Sequence, residues 1–253
     1  MQAIYVICLP LAAREGVGST TSFGYAYLVA AAVVAVTASS LGLVTSVPLT
    51  RAGIDPASTA RHVVSSSWLG LVSIGAVAGV FGLAGGRVLH AVLGEVYGAN
   101  VGSEIGRLVV LLAPWAVTSV GVGVTFPLVF VQGTSVRRLP LIAIGAVVIQ
   151  VPIAFAGQIL AGLDGLAIAL AITTGLAVAA MLDGLGALRQ AAAGLGVAVL
   201  TVGVLAGGSF GIAGLALGPV LGSVVGLAGY GLLLAVVRPP GLRSAWRYLR
   251  ALS

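Results

Sequence analysis

The chain has 253 residues, 59% of them hydrophobic and only 7% charged, with a mean hydropathy of +1.18. A soluble domain carries roughly 25% charged residues, so this composition argues against a water-soluble globular protein. The net charge of +6 comes from twelve Arg and no Lys. With no basic and aromatic platform outside the tail, it reads as a topology signal and an attraction to anionic lipid rather than a nucleic-acid surface.

About eight apolar stretches follow one another, at 1–13, 21–49, 63–93, 108–131, 139–161, 165–188, 191–206 and 212–237. Their continuous apolarity predicts spanning helices, an all-α transmembrane bundle. Spanning β-strands would be about 10 residues long and alternating. The first stretch falls short of the roughly 20 residues a span needs. It is read as truncated or interfacial, with a start codon inside a longer helix preferred over a signal peptide, because no positive charge precedes its apolar part. Cys8 is the one cysteine, so neither an intrachain disulfide nor a Cys-based metal site is expected.

The arginines fall on alternate connections. Arg51, Arg61, Arg137, Arg138, Arg189, Arg238, Arg243, Arg247 and Arg250 lie on one set and the tail. Arg14, Arg87 and Arg107 lie on the other, offset by Glu15, Glu95, Glu104 and Asp164. This positive-inside pattern predicts a cytoplasmic carboxy-terminus and an external Glu95–Glu104 loop. Three regions follow: 1–189 as a six-helix half, 190–238 as an added hairpin, and 239–253 as a basic amphipathic tail. In that tail Leu242, Trp246 and Leu249 share one stripe and Arg243, Arg247 and Arg250 another, as in a helix lying among inner headgroups.

Glycine is abundant, with 38 residues. Gly75, Gly79, Gly82 and Gly86 share one face of the third stretch, and Gly211, Gly214, Gly218, Gly222, Gly226 and Gly229 one face of the last, where helices can approach closely. Pro114, Pro127, Pro152 and Pro219 interrupt spans. Gly165-Leu166-Ala167 and Gly214-Leu215-Ala216 are read as openings of the second helix in two similar hairpins, after outer turns at 163–164 and 207–209.

No catalytic constellation is legible. His62 and His90, like Asp164 and Asp183, are predicted on opposite sides, and no carboxylate pair is placed for acid–base work. No enzyme activity, cofactor or metal is therefore expected. Arg87 and His90 read either as contacts for an anionic substrate or as side chains reaching the headgroups. Gln150 and Gln158, eight apart on one face, either line a polar cavity or hydrogen-bond neighbouring helices.

Three segments carry a family resemblance. The first is Gly18-Ser19, Tyr25-Ala26 and the run ending in Val47-Pro48-Leu49-Thr50-Arg51. The second is Leu93-Gly94-Glu95-Val96-Tyr97; the third is Arg137-Arg138-Leu139-Pro140 with Gly162-Leu163-Asp164-Gly165-Leu166-Ala167. In order and sidedness they resemble the carboxy-terminal half of the multidrug/oligosaccharidyl-lipid/polysaccharide (MOP) exporter superfamily, and in particular MurJ/MviN- and Wzx-type lipid-linked oligosaccharide flippases. The resemblance implies a MATE/MurJ-like half in a bacterial cytoplasmic membrane, flipping a lipid-linked cell-wall or polysaccharide precursor. It implies membrane lipids and a lipid-linked anionic substrate as partners, with a homodimer or a separate chain supplying the amino-terminal half. Arg51, Arg87, Arg107, Gln150 and Gln158 are the candidate substrate contacts. MurJ-type proteins commonly follow the Tyr-Ala with Asp-Arg, whose arginine is linked to the pyrophosphate cargo; here Tyr27-Leu28 stands in its place. A non-transporting membrane scaffold and a small-molecule efflux protein are the competing readings.

Overall fold

A computed structural model describes residues 2–39, 55–93, 99–131, 138–239, 241–243 and 246. Among the described residues every regular element is helical. They are α1 (Gln2–Ala12), a 3-10 turn (Ala13–Glu15), α2 (Ser19–Val34) prolonged by a π turn (Ala35–Ser39), α3 (Pro56–Leu93), α4 (Ala99–Leu111), α5 (Ala113–Val131), α6 (Arg138–Gly184), α7 (Leu188–Leu217) and α8 (Pro219–Val237). Six of these runs are long and apolar enough to cross a membrane, as in a multi-pass protein. α1, with 11 residues, is not among them.

Local chemistry sets the helix ends. α3 starts on Asp55, whose carboxylate accepts from the backbone N–H of Ala57 and Ser58, both at 2.9 Å. The Asp55 N–H in turn donates to Ser58 Oγ at 3.4 Å, and Pro56 sits where a helix has no use for an N–H. The third span therefore begins at 56 rather than at the expected 63. α6 bends back on itself at Ala161 and Gly162, the latter at φ +56°, which glycine adopts without a Cβ penalty. Its two arms, 138–160 and 163–184, match the two predicted spans there. Leu112 separates α4 from α5 because Pro114 has no N–H to give the preceding turn. The fourth span thus gains a helical extension, reaching back to Ala99 from the expected 108.

One expected turn is absent. The segment 207–209 was read as the outer turn of the last hairpin, yet α7 runs unbroken to Leu217 and turns at Gly218, φ +73°. In apolar surroundings an unpaired backbone group costs several kcal/mol, so glycines that would break a helix in water stay helical. The break waits for Pro219, which cannot donate. Gly214-Leu215-Ala216-Leu217 accordingly closes a helix, whereas Gly165-Leu166-Ala167 opens an arm, and the proposed internal repeat does not hold.

Packing divides into two clusters. The larger joins α1 to α6 around Phe23, Leu108, Leu112, Trp115, Leu166 and Leu170. The smaller, with Trp68, Leu71, Val202, Phe210, Tyr230 and Leu234, fastens the α7–α8 hairpin to α3. The Tyr230 hydroxyl donates to the Val72 carbonyl at 3.2 Å and reinforces that junction. The glycine face of α3 is split between neighbours. Gly75 and Gly79 meet Val202, Tyr230 and Phe210, while Gly85 and Gly86 cross α4 at Gly102 and Gly106. A Cβ on Gly85 would stand 2.7 Å from the Gly106 Cα, so this crossing requires glycine.

The charged residues gather at two ends. Glu15, Gln158, Asp164, Arg107 and the Gly86–Ser103 contact lie together at one. Gly186 meets Pro56 at the other, about 30 Å away along the first arm of α6. Arg14, Arg87, Glu104 and Arg107 belong to the first end, Arg61, Arg138, Asp183, Arg189 and Arg238 to the second. This is the grouping that the loop charges predicted.

Candidate functional site: an apolar groove with a cationic rim

A groove of about 570 Å³ lies between α3, the α4–α5 run and α7. Leu71, Gly75, Gly79 and Leu83 form one wall, Val110, Pro114 and Val117 a second, and Gly203, Gly207 and Gly211 the third. Each of these last three glycines has open space where a Cβ would stand. The spacing Gly203-x-x-x-Gly207-x-x-x-Gly211 was legible in sequence, but a span drawn to end at 206 divided it. Thr118 brings the lining's hydroxyl, which donates to the Trp115 carbonyl at 2.9 Å and so presents no free hydrogen to the groove. Such a surface suits an alkyl or prenyl chain and offers nothing to a polar headgroup.

Arg87 lies beyond one end of the groove. Gly75, Gly79, Leu83 and Arg87 are spaced by four on α3 and therefore share a face. Arg87 lies one turn beyond the last lining residue and is exposed, as is His90 a further turn out. An amphiphile with its tail in the groove would bring its head to this cation.

The other candidates lie elsewhere. Arg51 is outside the described residues. Arg107 forms an ion pair with Asp164 at the apex of α6. Gln158 donates to Glu15 Oε1 at 2.7 Å, and Glu15 also packs on Gly162. Gln150 is fully buried and donates to Cys8 Sγ at 3.3 Å, tying α6 to α1. Both glutamines thus make hydrogen bonds to neighbouring elements, one of the two uses the sequence allowed. The described candidates are not brought to one cavity. Tyr27 is buried in an aromatic stack, 3.8 Å from the Tyr5 ring centre and 4.7 Å from that of Trp115. Leu28 is 61% exposed.

Some hydroxyls within the spans bond the backbone, while the buried hydroxyls of Thr59, Ser119, Thr125, Thr173 and Thr174 have no hydrogen-bond partner among the described residues. Ser67, Thr37 and Thr201 donate to carbonyls four residues earlier at 2.7, 2.7 and 2.8 Å. Among the described residues no group of three His, Cys, Asp or Glu could hold a metal ion. Two further apolar hollows, of about 410 and 320 Å³, lie between the arms of α6 and beneath the start of α1.

Comparison of the chain with protein-family models, curated proteins and solved structures found no match to any of them.

Proposed function

We propose that this chain is a subunit of a lipid-linked oligosaccharide flippase in a bacterial cytoplasmic membrane, with its carboxy-terminus in the cytoplasm. The observation that supports this most is the apolar groove ending at Arg87. A pyrophosphate-linked prenyl lipid needs a lipid-like trough for its chain and a guanidinium for its anionic head. Transporters of this kind work by two halves rocking about a central site. The chain resembles one half with an added hairpin, and in this reading a second half completes the transporter.

The test is reconstitution of the purified chain into vesicles with a fluorescent undecaprenyl-pyrophosphate-linked sugar, alone and with co-expressed partners. Flipping that is lost in Arg87→Ala and in Gly207→Leu, which adds a side chain where a Cβ has open space, supports the proposal. Flipping by a crosslink-verified monomer refutes the half-transporter part. Undiminished flipping in both variants refutes the groove.

A second reading, a non-transporting scaffold, is favoured by Leu28. An exposed leucine stands where MurJ-type flippases carry their cargo arginine, and Arg107 is already neutralised by Asp164. It is supported if no assembly of the chain flips any lipid-linked sugar. Small-molecule efflux is disfavoured, since no carboxylate lies mid-span to carry a coupling ion.

A further inference from the structure

The chain reverses direction after α8 in a way that sequence patterning does not reveal. Arg238 adopts φ +44°, the one non-glycine positive φ among the described residues. Its backbone N–H bonds the Leu234 carbonyl at 3.1 Å and its Nε the Ala235 carbonyl at 3.0 Å, closing the helix. Pro239 then prevents continuation. Three residues after Arg238, Gly241 lies so close to the indole of Trp68 on α3 that an added Cβ would collide with Nε1 and stand 2.7 Å from Cζ2. Leu242 packs on the same cluster, and Trp68 is only 3% exposed. The tail is therefore seated on α3 at its root.

The seat leaves a cationic surface turned outward. Arg238, Arg243 and Trp246 are exposed, Trp246 by 61%. Neither arginine forms an ion pair with another described residue. No Asp or Glu follows Asp183, so Arg189, Arg238, Arg243, Arg247 and Arg250 have no acidic neighbour in the last 70 residues. Arg238 is one residue beyond a 19-residue apolar helix, which sets its guanidinium at headgroup depth. Trp246 has the amphipathic ring favoured at that same depth.

We infer that Arg238, Arg243 and Trp246, held in place by Gly241 on Trp68, form a binding surface for anionic phospholipid headgroups of the inner leaflet. An acidic protein partner is the other chemistry that arginines recognise. The depth of Arg238 and the presence of Trp246 favour lipid.

The test uses the full-length chain in phosphatidylcholine vesicles containing brominated phosphatidylglycerol or, at the same mole fraction, brominated phosphatidylcholine. Quenching due to Trp246 is the difference between the wild type and Trp246→Phe. The brominated anionic lipid should quench more strongly, reflecting a local enrichment of roughly fivefold per arginine at low salt. High salt should reduce it. The preference should vanish in the Arg238→Gln/Arg243→Gln pair while quenching by the neutral lipid persists. Gly241→Val, which unseats the tail with both arginines intact, should weaken the preference. Equal quenching by both lipids overturns the inference. Quenching by neither, with Trp246 protected by a co-purifying protein, overturns it in favour of the acidic partner.

Discussion

Arg107 on α4 pairs with Asp164 at the apex of α6, a contact between residues 57 apart in sequence. It links the α3–α4 crossing to the α6 hairpin, whose other side is held by the Gln158–Glu15 bond. Both partners are partly exposed, at 52% and 33%, so solvent screens the pair. Arg107→Ala and Asp164→Ala should each lower stability by less than about 1 kcal/mol, with a coupling energy below either. Thermal unfolding in detergent of both single variants and the double variant measures it. A large coupling would show that the apex, rather than the packed core, carries the fold.

The two arms of α6 touch through Gly157 and Gly165, and a Cβ on Gly165 would fall on the Gly157 carbonyl. Gly165→Ala should therefore force the arms apart and destabilise the chain by roughly 1–3 kcal/mol. Gly145→Ala, in the same helix with open space at its Cβ position, should be neutral or slightly stabilising. Detergent melting curves for the two variants give the comparison. Equal effects would show that the close approach is not required.

Asp55 caps α3 with its carboxylate. The Ser58 hydroxyl and N–H, the Ala57 N–H and the nearby Arg61 hold its pKa below the ordinary carboxylate value. A lowered folded-state pKa means that the cap is fully formed above the unfolded value, about 3.9, and is lost as pH falls through the folded value. Protection of the Ala57 and Ser58 amides, relative to intrinsic exchange at each pH, should accordingly fall only below about pH 4. Asp55→Asn should retain the cap and remove the pH dependence, whereas Asp55→Ala should fray the first turn at every pH.

Cys8 is fully buried against Gln150. In intact membranes it should resist an aqueous maleimide and react once the chain is denatured. Gln150→Ala, which opens the α1–α6 contact, should make it reactive. Continued protection in that variant would place the shielding of Cys8 on other neighbours.

Sidedness has a direct measurement. With Cys8 replaced, Glu104→Cys should label with an impermeant reagent in intact cells and Arg138→Cys should not. The reverse pattern would overturn the proposed orientation.

Much of this protein is local and was therefore readable. Continuous apolarity dictates helices, because only a helix satisfies every backbone group of a segment within lipid. The hairpin in α6 was expected from its two apolar stretches, though with its turn at 163–164 rather than at Ala161–Gly162, and the loops marked the division of charge between two ends, whereas the Asp55 cap that starts α3 at 56 rather than 63 went unread. The partners of Gln150, Gln158 and Arg107 were not readable, nor was the groove. These spans are apolar on all sides, so no amphipathic stripe announces which face meets which neighbour. A polar side chain's partner then depends on where two distant helices cross. Gly207 and Gly208 show the same limit: read alone they suggest a turn, and only packing in an apolar setting keeps them helical. Whether a glycine such as Gly79 receives a phenylalanine, or one such as Gly207 faces open space, was decided by the tertiary arrangement of α3, α5 and α7.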